Sequence, residues 1–161
     1  MNDKTSERAV IFLLRMSMAW TFLYAASHQV FVSGFSVTGF LATAKTFHGL
    51  FELFTGPAIA PTITFLVAYG HLLIGLSLLT GLLVRVSSVF AIGLMVVYWM
   101  AHMNFPYISD TNNFLVDEHV VFALVLALLI VKRAGHVWGL DEWASKRSET
   151  TQHPVLAWAT A

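Results

Sequence analysis

The chain has 161 residues, which suits one domain. Hydrophobic residues make up 57% and charged residues 11%, with mean hydropathy +0.72. A soluble domain carries about 25% charge, so an ordinary soluble globule is excluded. Cysteine is absent, which removes disulfides, thiolate metal sites and cysteine nucleophiles. Lys+Arg and Asp+Glu are both 9, so bulk charge implies no nucleic-acid partner. The composition is that of a small integral membrane protein whose first partner is the lipid bilayer.

Charged residues punctuate the chain. None lies between Arg15 and Lys45, 32 uncharged residues separate Glu52 from Arg85, and 24 separate Arg85 from Asp110. A bilayer core of roughly 30 Å needs about 20 apolar residues per helix. Spans are therefore predicted over about 8–30, 61–84 and 86–104. Ala25, Ala26 and Ser27 faintly resemble a signal-peptide cleavage site, but Arg15 interrupts the apolar run, so the first span is read as an anchor.

Between spans one and two lies a long loop, 34–60. Phe35, Phe40, Phe47, Leu50, Phe51 and Phe54 predict an interfacial amphipathic helix there, bounded by Gly56 and Pro57. Near the far end, only 13 residues, His119 to Val131, are free of charge. At 1.5 Å per residue that stretch is too short to cross. The fourth span is therefore predicted over 114–132, capped at Asn113, with Asp117 and Glu118 in its first turns.

Together these spans predict an all-α fold, a four-transmembrane-helix bundle over 1–144 with a polar tail over 145–161. Lys4, Arg8, Arg85, Lys132, Arg133, Lys146 and Arg147 fall on one side and only Lys45 on the other. Both termini are accordingly predicted to be cytoplasmic, in the cell (inner) membrane. His71–Arg85 and His119–Arg133 each place a histidine 14 residues before an arginine. Tyr24-x-x-x-His28 and Tyr98-x-x-x-His102 also correspond, which suggests two similar hairpins.

Polar residues in the spans mark candidate sites. Ser17, Thr21, Tyr24 and His28 form one helical stripe, expected to face other helices. Thr64, Ala68, His71 and Gly75 form a second, and Ser88, Ala91, Met95, Tyr98 and His102 a third. His28, His71, His102 and His119 fall within roughly 10 Å of one level in the outer half of the bilayer. Asp117 and Glu118 accompany them, with Glu118 expected to face inward. Such a set would suit a quinone pocket, a metal, or a haem held by two imidazoles, with Tyr24 and Tyr98 nearby. Asp117 or Glu118 would relay protons from water. The plainer alternative leaves the outer residues at the water interface and makes His71 a hydrogen-bonding group between helices. Met95, Met100 and Met103 beside His102 would suit copper, although methionine is common core filler. Arg15 either snorkels to the inner surface or pairs within the bundle. His48 either closes over the pocket or is solvated, and His136 and His153 are expected to face solvent. No Walker-type loop, G-x-S-x-G or H-E-x-x-H occurs.

Four stretches carry a family resemblance: Arg15–Tyr24 (RMSMAWTFLY), Gly70–Arg85 (GHLLIGLSLLTGLLVR), Val116–His119 (VDEH) and Arg133–Asp141 (RAGHVWGLD). In these the chain resembles the DoxX/DoxD family of four-helix membrane proteins. It is similar in particular to the DoxD-like small subunit of thiosulfate:quinone oxidoreductase. Ala26 and His28 stand where the family often has Gly and Lys. The resemblance implies a subunit passing electrons from thiosulfate, or another reduced donor, to the quinone pool. A further protein subunit or a second copy would complete the redox system. A non-enzymatic scaffold or accessory subunit is the alternative expectation, with the histidines as polar glue between helices.

Overall fold

The computed structural model describes residues 3–101, 104–107, 116–147 and 152–161. The described residues are helical. α1 (Asp3–Val30) is followed by short α2 (Thr38–Ala42) and α3 (His48–Glu52), then α4 (Ala60–Thr80) and α5 (Val84–Ala101). α6 (Glu118–Val131), a 3₁₀ turn (Ala134–His136), α7 (Leu140–Ala144) and α8 (Pro154–Ala159) complete the order. α1, α4 and α5 are long and apolar enough to cross a membrane, and α6 is a shorter apolar helix. The protein is a multi-pass helical membrane bundle.

α1 packs chiefly on α4, and α5 on α6, with α4 joining the two pairs through its contact with α5. This pairing matches the two hairpins suggested by the repeat. Met18, Phe22, Ile74, Leu78, Ala91, Met95, Leu126 and Leu129 form the shared core. Small residues bring α1 and α4 together. A Cβ on Gly75 would sit 2.7 Å from Leu23 Cγ, so only glycine admits that approach.

The inward stripe of α1 is Ile11, Arg15, Met18, Ala19, Phe22 and Ala26. The expected polar stripe turns away from the bundle: Ser17, Tyr24 and His28 are exposed. Its groups bond to their own helix instead. Ser17 Oγ donates to Leu13 O (2.9 Å), Thr21 Oγ1 to Ser17 O (3.1 Å) and His28 Nδ1 to Tyr24 O (3.0 Å). Those bonds remove the need for a neighbouring helix. The other two stripes do face inward, through Ala68, His71 and Gly75 on α4 and Ser88, Ala91 and Met95 on α5.

The loop over 34–60 is two short helices rather than one interfacial helix. Val37, Leu41, Ala44 and Phe51 bury against Ala101, with Phe35, Phe47 and Phe54 around them, so the segment roofs one end of the bundle. The fourth helix also starts later than expected. Asp117 is its N-cap, with extended backbone, and its carboxylate accepts from His119 N at 2.7 Å. Asn113, the expected cap, lies outside the described residues. At 14 residues α6 is about 21 Å long, and its capping Asp117 is buried within the bundle. The predicted polar tail folds back as well. α8 docks on α5, where Arg85 Nη1 donates to Trp158 O (3.3 Å), and Ala159 and Thr160 are buried.

Candidate functional site

Two clusters of polar residues lie at opposite ends of the bundle. The first, at the end holding both termini, is built on Arg15. Its guanidinium is 1% exposed and donates from Nη1 to Ala134 O (2.5 Å) and Val137 O (2.9 Å), and from Nη2 to Trp138 O (3.3 Å). Arg15 thus pairs within the bundle and does not snorkel. Asp141 closes the same cluster. Its carboxylate accepts from Leu83 N (2.7 Å) and Val84 N (3.1 Å), capping α5, and its own N–H donates to Gly81 O (2.9 Å). Burial pushes the Asp141 carboxyl up, against the lowering effect of these two N–H bonds and of the charges on His136 and Arg15.

Gly81 ends α4 in the left-handed conformation (φ 71°), and a Cβ there would meet Gly139 Cα at 2.6 Å. The LLTGLL-x-R and AG-x-x-x-GLD stretches therefore meet in one clasp, whose residues hold helices together. His136, expected to face solvent, is half-buried here between Glu142 (3.0 Å) and Thr160 O (2.7 Å). His153 is exposed as expected.

At the opposite end, beneath α2 and α3, is a cavity of about 650 Å³. Its walls are apolar, with Phe35, Phe40, Leu41, Phe51, Phe54 and Val97 prominent. Among the described residues, no Lys, Arg, Asp or Glu lines it. His71, Tyr98 and His119 do, and they form a connected row. His71 Nδ1–H donates to Val67 O (2.7 Å), which leaves the lone pair on Nε2. The Tyr98 hydroxyl approaches that Nε2 at 3.4 Å, and the two rings stack with centroids 5.7 Å apart. The opposite side of Tyr98 meets His119 edge-on, at 5.5 Å. Behind His119 stands Asp117, 2% exposed, its Oδ1 2.5 Å from His119 Nδ1. The row therefore runs Asp117, His119, Tyr98, His71. The start of α6 explains it, because the capping carboxylate of Asp117 sits beside His119.

Of the expected site residues, the structure brings together His71, Tyr98, His119 and Asp117. Glu118 is exposed and does not reach the cavity, so the inward acid is Asp117 and not Glu118. The reason is the later helix start: as the cap, Asp117 must turn its carboxylate back over the first turn, which points Glu118 outward. His28 and Tyr24 are exposed and contact each other with tilted rings, centroids 4.6 Å apart, and neither lines the cavity. His102 lies outside the described residues. Met95 is a core residue. His48 pairs with exposed Glu52 at 3.8 Å and does not line the cavity. Among the described residues, no group of three or more His, Asp or Glu is arranged to hold a metal ion.

Two cavity neighbours escaped the sequence reading. Phe22 packs on His71 (5.7 Å), and Gln29 lines the wall with a buried Oε1 that has no partner among the described residues. Gln29 is seven residues after Phe22, on the stripe that continues through Ala26, and that spacing was the available signal.

No solved structure matches this chain. The match to the DoxX family spans residues 10–103, more than half of the length, and includes His71 and Tyr98 but not Asp117, His119 or Asp141. With that match, and with the apolar helices it covers, the chain belongs to the DoxX family of membrane proteins.

Proposed function

We propose that the protein is the membrane subunit of a quinone-linked oxidoreductase, with the quinone ring in the cavity under α2 and α3. The observation that supports this reading is the row Asp117–His119–Tyr98–His71 at the edge of a cavity whose remaining walls are apolar except for Gln29 and Ser36. A quinone presents a flat apolar ring and two carbonyl acceptors, and it takes up two electrons and two protons on reduction. The cavity volume lies in the range of small-molecule sites, and its aromatic walls suit such a ring. The Tyr98 hydroxyl, at only 3.4 Å from His71, is weakly held and can turn its donor to a carbonyl. Asp117 fixes the ring of His119 through Nδ1, the arrangement that orients a histidine for proton transfer. The α2 and α3 segment packs over this end of the bundle and forms part of the cavity wall.

Thiosulfate or another reduced donor is better placed on a partner subunit, since no cation among the described residues lines the cavity to attract a dianion. The Lys and Arg distribution supports a cytoplasmic position for both termini in the cell's inner membrane. The test is equilibrium binding of a short-chain quinone analogue to the protein in lipid nanodiscs. One analogue should bind per chain, and Tyr98→Phe and His71→Leu should each weaken it by up to roughly tenfold. Absent binding, or binding unchanged in both variants, would leave the histidines as structural groups and favour the scaffold reading.

A further inference from the structure

At the end of the bundle that holds both termini lies a second, larger cleft of about 880 Å³. It is walled by the first turns of α1, the end of α6, the 3₁₀ turn and the start of α7. Four cations line it: Lys4, Arg8, Lys132 and Arg133. Two carboxylates also do, but both are committed. Glu7 is held by Lys132 at 2.5 Å, and Glu142 by Lys146 and His136 at 2.5 and 3.0 Å. The Lys4 and Arg8 side chains make no ion pair or hydrogen bond among the described residues, whereas Lys132 is engaged by Glu7 and Arg133 Nη2 lies 3.4 Å from His136 Nε2. Ile11 gives the floor an apolar patch and Trp138, 57% exposed, stands at the rim. The site is thus concave, cationic on its walls and apolar below, at the depth where spanning helices leave the membrane.

We infer that this cleft binds the phosphate of an anionic phospholipid, with Arg8 and Arg133 on the phosphodiester and the glycerol end against Ile11 and Trp138. Arginine suits the role because its planar donor fork matches phosphate oxygens. A basic pocket between helix ends is also where headgroup recognition is expected. The cleft is separate from the quinone cavity, so the inference does not depend on that reading.

The experiment is native mass spectrometry of the purified chain in non-ionic detergent, titrated with phosphatidylglycerol or with phosphatidylcholine. Both lipids carry the phosphodiester, but choline cancels its charge in phosphatidylcholine, so phosphatidylglycerol should be retained preferentially, by about fivefold for each cleft cation that the choline would otherwise face. An Arg8→Gln/Arg133→Gln variant should lose the preference, and Arg147→Gln, whose guanidinium lies over Trp143 outside the cleft, should keep it. A wild-type chain that retains both lipids equally overturns the inference without any variant. So does a double variant with undiminished preference. Displacement of the lipid by millimolar inorganic phosphate would assign the site to a soluble phosphate and overturn the lipid source.

Discussion

At the scale of single residues, the same side-chain type does different work according to depth. Asp117 and Glu118 are neighbours, yet one is 2% exposed and the other open to its surroundings. If Asp117 feeds protons to His119, Asp117→Asn should slow quinone reduction in membranes of expressing cells by about a hundredfold. Glu118→Gln should leave the rate within about twofold, because that carboxylate touches nothing in the cavity. Equal effects would remove the row from the mechanism. Arg15 makes the opposite case, a buried cation whose bonds all go to backbone carbonyls. Arg15→Met takes the donor from Val137 O and Trp138 O and one of two donors from Ala134 O, and a loss of roughly 3 kcal/mol or more is expected. Arg15→Lys should not restore it, since one ammonium cannot span the fork. Thermal unfolding in detergent reads both variants.

At the scale of elements, the ends of helices matter more than their middles. Asp117 serves α6 twice, as cap and as partner of His119, and the two roles separate on substitution. Asp117→Ala should cost about 1 kcal/mol through the lost cap. Asp117→Ser should recover most of that stability while leaving His119 without its carboxylate, so turnover should stay low. The clasp at the other end joins α5 to the segment after α6 through Asp141. Because burial raises the folded pKa of Asp141, the protonated form is favoured in the fold. Its contribution is then fully present below the ordinary carboxylate value, about 3.9, and is lost as pH rises through the folded value. Unfolding measured across that window should show stability falling as pH rises in the wild type, and a flatter profile in Asp141→Asn. A Cβ at Gly139 would strike the Gly135 carbonyl oxygen and lie 2.7 Å from Arg15 Nη1. Gly139→Ala should therefore destabilise by about 1–3 kcal/mol.

At the scale of the whole molecule, the two ends of the bundle are specialised. One is a clasp flanked by cations and the other a roofed apolar cavity. The chain has no cysteine, so single-cysteine variants report topology without a background to remove. Thr46→Cys and Lys146→Cys, both exposed, should label from opposite faces of intact cells, Thr46→Cys from outside. Labelling of both from one face would overturn the arrangement.

The sequence alone determined the membrane class and the three long helices, although the turn expected at Arg85 comes earlier, at 81–83, and Arg85 belongs to the first turn of α5. Hydrophobic length and charge spacing act locally, and tertiary context does not override them. It also marked His71, Tyr98, His119 and Asp117, because polar groups are costly within a bilayer and stand out there. What it could not decide is which way each group points when the helix itself supplies a partner. Ser17, Thr21 and His28 satisfy their hydrogen bonds on their own carbonyls, so the polar stripe of α1 carried no information about neighbours. The motif around Gly139 and Asp141 read as a family mark, and only the packing revealed its work. Arg15, Gly81 and Asp141 are far apart in the chain and meet because three helix ends converge. The burial of Asp117 was decided the same way: as the cap of a short fourth helix its carboxylate sits behind His119, which meets Tyr98, and only the assembled bundle defines that depth.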